Sequence, residues 1–211
     1  MSQFRIAVLV HLLVSPVLVA SEEPLPIVLK PGRVFDGVAE RPQTDWVVIV
    51  RGERIDAAGP AAQVRVPADA RVIELPSATL LPGLIDAHSH LLLHPYNEAL
   101  WDDQVLKEPL ALRVARATNH ARDTLRAGFT TIRDLGTEGA GYADVGLRQA
   151  IEQGIIPGPR VLAVTRAIVA TGAYGPKGFD PAFRVPQGAE EADGVDGIVR
   201  VVRDQIGKGA D

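Results

Sequence analysis

From residue 81 onward the chain repeats one unit three times: an apolar stretch, a loop, and a segment with apolar residues at helical spacing. "GLIDAHSH" reads as the first strand. "PLALRVARATNHARDTLRA" reads as the helix after it, with Gly128 where a helix-ending glycine belongs. "FTTIRDLG" and "DVGLRQAIEQG" form the second pair, closed by Gly154. "RVLAVTRAIVA" and "DGIVRVVRDQIGKGA" form the third, separated by a Gly- and Pro-rich loop over residues 171–188. Strands alternating with helices predict an α/β fold with a parallel sheet and right-handed crossovers. Residues 81–211 supply 131 positions and three such units, whereas a closed barrel of this kind takes about 250 residues. Three parallel strands alone would also leave an unpaired edge. The expectation is an incomplete TIM (β/α)8 barrel, its first three βα units, in the N-terminal part of a larger protein.

Residues 22–80 have a different rhythm. "WVVIVRGERIDAAG" gives two strands around Gly52-Glu53, where glycine suits the first position of a type II′ hairpin turn. "IVLK", "RVF" and "VIEL" add short strands separated by Pro, Gly and Asp. Short strands with tight turns predict the N-terminal part of a small β-sandwich domain, and so small a unit is marginal alone. Ahead of it, "MSQFRIAVLVHLLVSPVLVASEEP" places one cation, Arg5, before a 15-residue apolar run that ends at Ala20-Ser21. That order predicts a signal peptide over residues 1–21 and an exported protein, periplasmic or secreted. The run is shorter than the ~20 residues of a spanning helix, so no stable membrane span is expected. An uncleaved anchor or a buried first strand is the alternative.

With no cysteine in the chain, disulfides, thiolate nucleophiles and zinc–sulfur sites are excluded. Any metal must be held by nitrogen and oxygen. The formal charge of −4 comes without a basic cluster, which gives nucleic acid no footing.

Three of the five histidines fall within "TLLPGLIDAHSHLLLHP". His88 and His90 stand two apart at the end of an apolar strand. Alternate strand residues share a face about 6.6 Å apart, so two imidazoles can converge on one ion at about 2.1 Å from each nitrogen. Ser89 points the other way. Active sites of barrels lie at the C-terminal ends of the strands, which is where this pair sits. A pair of hydrogen-bonded strand-end histidines without a metal is the alternative reading.

"LLPGLIDAHSHL" resembles the signature of the amidohydrolase superfamily, metal-dependent hydrolases with imidazolonepropionase-like and dipeptidase-like members. The resemblance continues through "AGFTTIRDLG", "GIIPGPRVLAV" and "TGAYGPKGF", and upstream through "RVFDG" and "GERIDAAG", covering residues 27–211. Ser77 stands where many members have a glycine before the signature strand. By this resemblance His88 and His90 bind the more buried metal of a mono- or binuclear site, a divalent ion with zinc first among candidates. Water activated there attacks the carbon of a small amide, peptide or cyclic amide. The family's other ligands are a carboxylated lysine on strand four, histidines on strands five and six, and an aspartate on strand eight. Those catalytic residues would lie beyond Asp211, Lys208 is not assigned to them, and the 211-residue chain alone is expected to be inactive.

Other residues are weaker candidates. Asp86 shares the His88 face two residues deeper and could support the ligands. His94 in the first loop and Tyr174 in the loop after the third strand could touch substrate; Lys177 shares that loop, where a lid would sit, and its role is open. His120 reads as a surface residue of the first helix; Arg133 and Asp134 end the second strand at the rim where a site would lie, and a structural pair explains them as well. Two other readings stand beside the enzyme: a non-catalytic truncated fragment, and a module binding a small ligand.

Overall fold

The structure, a computed structural model, describes residues 24–211. The signal-peptide expectation for residues 1–21 lies outside them. The chain divides into two compact units, with the boundary between Leu81 and Pro82.

The first unit is a four-stranded sheet of β1 (Ile27–Val34), β2 (Trp46–Arg51), β3 (Arg54–Pro60) and β4 (Arg71–Leu80), in the order β3-β2-β1-β4. β2 pairs antiparallel with both neighbours, while β1 and β4 run parallel. The β2–β3 turn falls at Gly52-Glu53, with φ of 57° at Gly52, as a type II′ turn requires. Val28, Val47 and Ile49 form its core with Ala57, Val64 and Ala70.

Pro31-Gly32 does not separate "IVLK" from "RVF" as the sequence suggests. Both lie in β1, and the register against β4 shifts between Pro31 and Arg33. The reason is a close approach of backbones: a Cβ on Gly32 would lie 2.2 Å from the carbonyl oxygen of Pro76. Two prolines therefore sit at a bulge, where a missing ladder donor does little harm. Gly32→Ala must push these strands apart and should destabilise this unit by about 1–3 kcal/mol. Urea denaturation checks this, and an unchanged midpoint would show that the bulge yields freely.

The second unit holds a parallel sheet of β5 (Leu84–Ser89), β6 (Phe129–Asp134) and β7 (Arg160–Ala163), in chain order. Its helices are α1 (Trp101–Lys107), α2 (Leu110–Arg126), α3 (Ala143–Glu152) and α4 (Gly194–Gly207). Gly128 and Gly154 follow α2 and α3 with φ of 98° and 69°, the left-handed caps expected of them. Ala117 and Ala121, one turn apart on α2, pack with Ile132 of β6, Val161 of β7, Leu147 of α3 and Leu91-Leu92. Small side chains on that stripe let the helix lie close to the sheet. Residues alternate across β6, so Ile132 and Asp134 are buried while Arg133 is exposed.

The third strand is shorter than expected. β7 stops at Ala163, and the chain turns at Thr165, whose φ is 69°. Thr165 holds this unusual backbone because its amide donates to Asp144 Oδ2 (2.7 Å) and its hydroxyl to Gln205 Oε1 (3.0 Å). The rest of the apolar run, β8 (Ile168–Val169), pairs with β9 (Glu190–Glu191) across the Gly/Pro-rich loop. Among the described residues no helix is long and apolar enough to cross a membrane.

Candidate functional site

β5 delivers His88 and His90 to the C-terminal edge of the parallel sheet, His88 inside the strand and His90 one residue past it. The strand end is fixed to β6 by backbone carbonyls: Arg133 Nε donates to Ala87 O (2.9 Å), Ser89 Oγ to Arg133 O (3.3 Å), and the Leu135 amide to Ser89 O (2.9 Å). Arg133 thus acts on the β5 backbone, and no ion pair joins it to Asp134 among the described residues.

The two imidazoles stand with ring centroids 5.2 Å apart and planes at 69°. His90 Nδ1 lies 2.9 Å from Gly136 O. A carbonyl only accepts, so Nδ1 carries a proton, and in the neutral imidazole Nε2 is the nitrogen with a free lone pair. Asp86 sits behind His88, its Oδ1 accepting the His88 amide at 3.0 Å. Among the described residues no group of three or more His, Asp or Glu side chains is placed to hold a metal ion. What the geometry offers is two nitrogens, not a closed ligand shell.

Behind the pair lies a buried polar belt. Asp134 is fully buried, its Oδ2 accepting the Leu91 amide (3.3 Å), while Oδ1 has no partner among the described residues. Burial, with the Asp144 carboxylate adding to it, pushes the Asp134 carboxyl up to about 7, against the lowering pull of the Leu91 and Gly136 amides. Asp144 is also raised by burial, although the Thr165 and Val145 amides donate to it. Arg113, 3% exposed, donates from Nε to Leu92 O and from Nη2 to Thr137 O, both at 3.0 Å. Burial lowers its pKa, and Glu108 and Glu138 oppose that.

Glu138 is the hub that reading the sequence missed. It is 3% exposed, with a φ of 51°. Its Oε2 accepts Trp101 Nε1 and the Tyr174 hydroxyl, each at 2.8 Å, and its Oε1 lies 4.0 Å from His90 Nδ1. One carboxylate therefore ties α1 to the loop after β7 and lies beside His90. Burial first, and then the bond to Glu138, raise the Tyr174 hydroxyl pKa. The available signal was the run Gly136, Gly139, Gly141 around Glu138 after a strand end, which marks a tightly folded rim loop.

His94 is engaged on both sides, Nδ1 at 3.3 Å from Glu98 and Nε2 at 3.5 Å from Glu108. Its backbone is clamped by buried Gln104, which accepts the His94 amide and donates to His94 O and Ala99 O. His120 is not the surface residue expected: it is half-buried and donates from Nδ1 to Leu91 O at 2.9 Å. A cleft of about 500 Å³ runs from His90 past His94, Tyr96 and His120. His88 is not in its wall, so the cleft adjoins the pair and does not enclose it.

The sequence profile of the Amidohydrolase family matches residues 79–203, which include β5, both histidines, Glu138 and Tyr174. The chain belongs to the amidohydrolase family. Solved structures similar to it include an amidohydrolase at 29% identity and TM-score 0.68, covering 88% of this chain and 45% of the other. A prolidase complexed with N-methylphosphonate-L-proline is similar at 32% identity and TM-score 0.68, with coverages of 88% and 45%. A Xaa-Pro dipeptidase with methionine bound in its active site is similar at 28% identity and TM-score 0.72, again covering 88% and 45%. This amidohydrolase chain thus spans about 45% of the length of those structures. Comparison with curated proteins gave no match.

Proposed function

We infer that the chain is part of a metal-dependent hydrolase of C–N bonds, acting on a small amide, peptide or cyclic amide, with His88 and His90 among its metal ligands. The observation that carries this is the His88–His90 pair, its rings 5.2 Å apart, with the Gly136 carbonyl fixing the His90 tautomer. A histidine whose other ring nitrogen donates to a carbonyl is the usual arrangement of a ligating imidazole. Nitrogen donors suit zinc and its neighbours among the divalent ions. Bound there, such an ion would lower the pKa of a water and polarise the scissile carbonyl. Similarity to a prolidase and a Xaa-Pro dipeptidase supports a peptide-like substrate. On the same reading β5, β6 and β7 open a (β/α)8 barrel over residues 81–211, and the sheet within residues 22–80 is part of a small β-sandwich. Further ligands come from strands beyond these three. The order of residues 1–21 supports export through a signal peptide to the periplasm or outside.

The test is hydrolysis of dipeptides and N-acyl amino acids by the complete gene product, stripped of metal and then supplied with zinc or manganese. Turnover is expected to vanish on stripping and return with the ion. The 211-residue chain should show none under the same conditions, because two imidazoles leave an ion poorly anchored. Turnover by the complete protein that ignores chelation would contradict the metal reading.

A further inference from the structure

The polar edges of Trp101 and Tyr174 both turn inward. The Trp101 indole and the Tyr174 hydroxyl donate to the same oxygen of buried Glu138 at 2.8 Å. The two rings meet edge to face, with centroids 5.4 Å apart and planes at 78°. Gly188 packs against them from behind: a Cβ there would lie 2.3 Å from one Trp101 ring carbon and 3.3 Å from a Tyr174 ring carbon. Both rings are therefore held by a hydrogen bond, by each other and by backbone. Their free surfaces line a cavity of about 440 Å³ together with Tyr96, Asp102 and Lys177. That volume is in the range of small-ligand sites.

Two residues, Glu138 and Tyr96, link the cavity to the surroundings of His90. Glu138, which anchors its rings through one oxygen, brings the other to 4.0 Å from His90 Nδ1. Tyr96 lines both this cavity and the cleft that starts at His90. A group seated against the rings thus rests on side chains that Glu138 connects to the vicinity of His90. Charge does not select the occupant. Asp102 and Lys177 in the cavity wall oppose each other, and the Glu138 carboxylate is occupied by two donors with Arg113 in its field. Ring faces remain, and they favour apolar and aromatic groups.

We propose that the Trp101–Tyr174–Tyr96 cavity is a substrate side-chain subsite that seats an uncharged apolar side chain, aromatic or thioether, beside the bond to be cut. The placement beside a scissile bond rests on reading His88 and His90 as the reaction centre. The binding preference stands on the cavity alone.

The test is binding to the metal-free 211-residue protein, followed by the indole N–H signal of Trp101 in NMR spectra. The chain has two tryptophans, so Trp101→Phe assigns the signal and Trp46 of β2 serves as the internal control. The probes are the N-acetyl amides of phenylalanine, methionine, glycine, lysine and glutamate. Phenylalanine and methionine amides should shift the Trp101 signal saturably, about tenfold or more tighter than the other three. Gly188→Ala, which displaces the indole, should abolish that preference while the amide signals of the second unit's strands, β5, β6 and β7, keep their folded dispersion. Tightest binding by the lysine amide would mean a cation cage and overturn the proposal. Equal response to all probes, or response at Trp46 alone, would overturn it as well. Because neither metal nor turnover is involved, a failed hydrolysis assay leaves this result readable.

Discussion

Asp134→Asn should become more stable relative to the natural chain as pH rises, by up to about 4 kcal/mol between pH 4 and pH 8. The unfolded carboxyl titrates near 3.8 and the folded one at about 7. Between those values the unfolded chain has lost its proton while the folded chain keeps it. The unfolded state binds fewer protons, so stability falls as pH rises through this window and levels off above 7. At roughly 1.4 kcal/mol for each pH unit of that window, the whole fall comes to about 4 kcal/mol. The amide cannot ionise, so the variant lacks this slope. A fixed cost of about 1–3 kcal/mol for its amide at the unpartnered Oδ1 position moves the whole curve without changing the slope. Urea denaturation of both proteins at several pH values reads the difference directly. Parallel curves would mean that Asp134 is ionised in the folded chain throughout.

His88→Ala and His90→Ala should each reduce metal-restored turnover of the complete protein by about 100-fold or more, since even residues that merely support ligands cost 10–100-fold. The loss should appear first as weaker metal affinity, recovered in part at high ion concentration. A structural role for His90 predicts a different outcome: lower thermal stability with metal affinity intact, because the bond to Gly136 O would be its whole contribution. Comparing the metal concentration for half-maximal turnover with the melting temperature separates the two.

The repeated strand–helix units were legible because each element carries its own period and its own stop. Gly128 and Gly154 end α2 and α3 where the sequence puts them, and Gly52 sits in its hairpin turn. The His88–His90 spacing likewise placed two rings side by side at a strand end. Features set by contacts between distant segments were not legible. Pro31-Gly32 reads as a break until the Pro76 carbonyl lies 2.2 Å from where a Cβ would be. The run after Arg160 reads as one strand, yet Asp144 and Gln205, 21 and 40 residues away, hold Thr165 out of it. Helix α1 is about two turns long inside a loop, and the hydrogen-bond partner of its Trp101 is Glu138, 37 residues on. No local pattern announces such a pairing. His120 illustrates the same limit, because its partner is the carbonyl of Leu91 on the chain before α2.

The most direct measurement is a zinc titration of the 211-residue protein followed by the ring nitrogen signals of its histidines. Before metal, His90 should report the Nδ1–H tautomer, as its bond to Gly136 O requires. On adding zinc, His88 and His90 should shift together with one affinity, weak for want of further ligands, with the change at His90 confined to Nε2. His94 and His120, tied to Glu98, Glu108 and Leu91 O, should stay in place. Movement of His94 and His120 instead, or no response at His88 and His90, would contradict the assignment of the metal to this strand end.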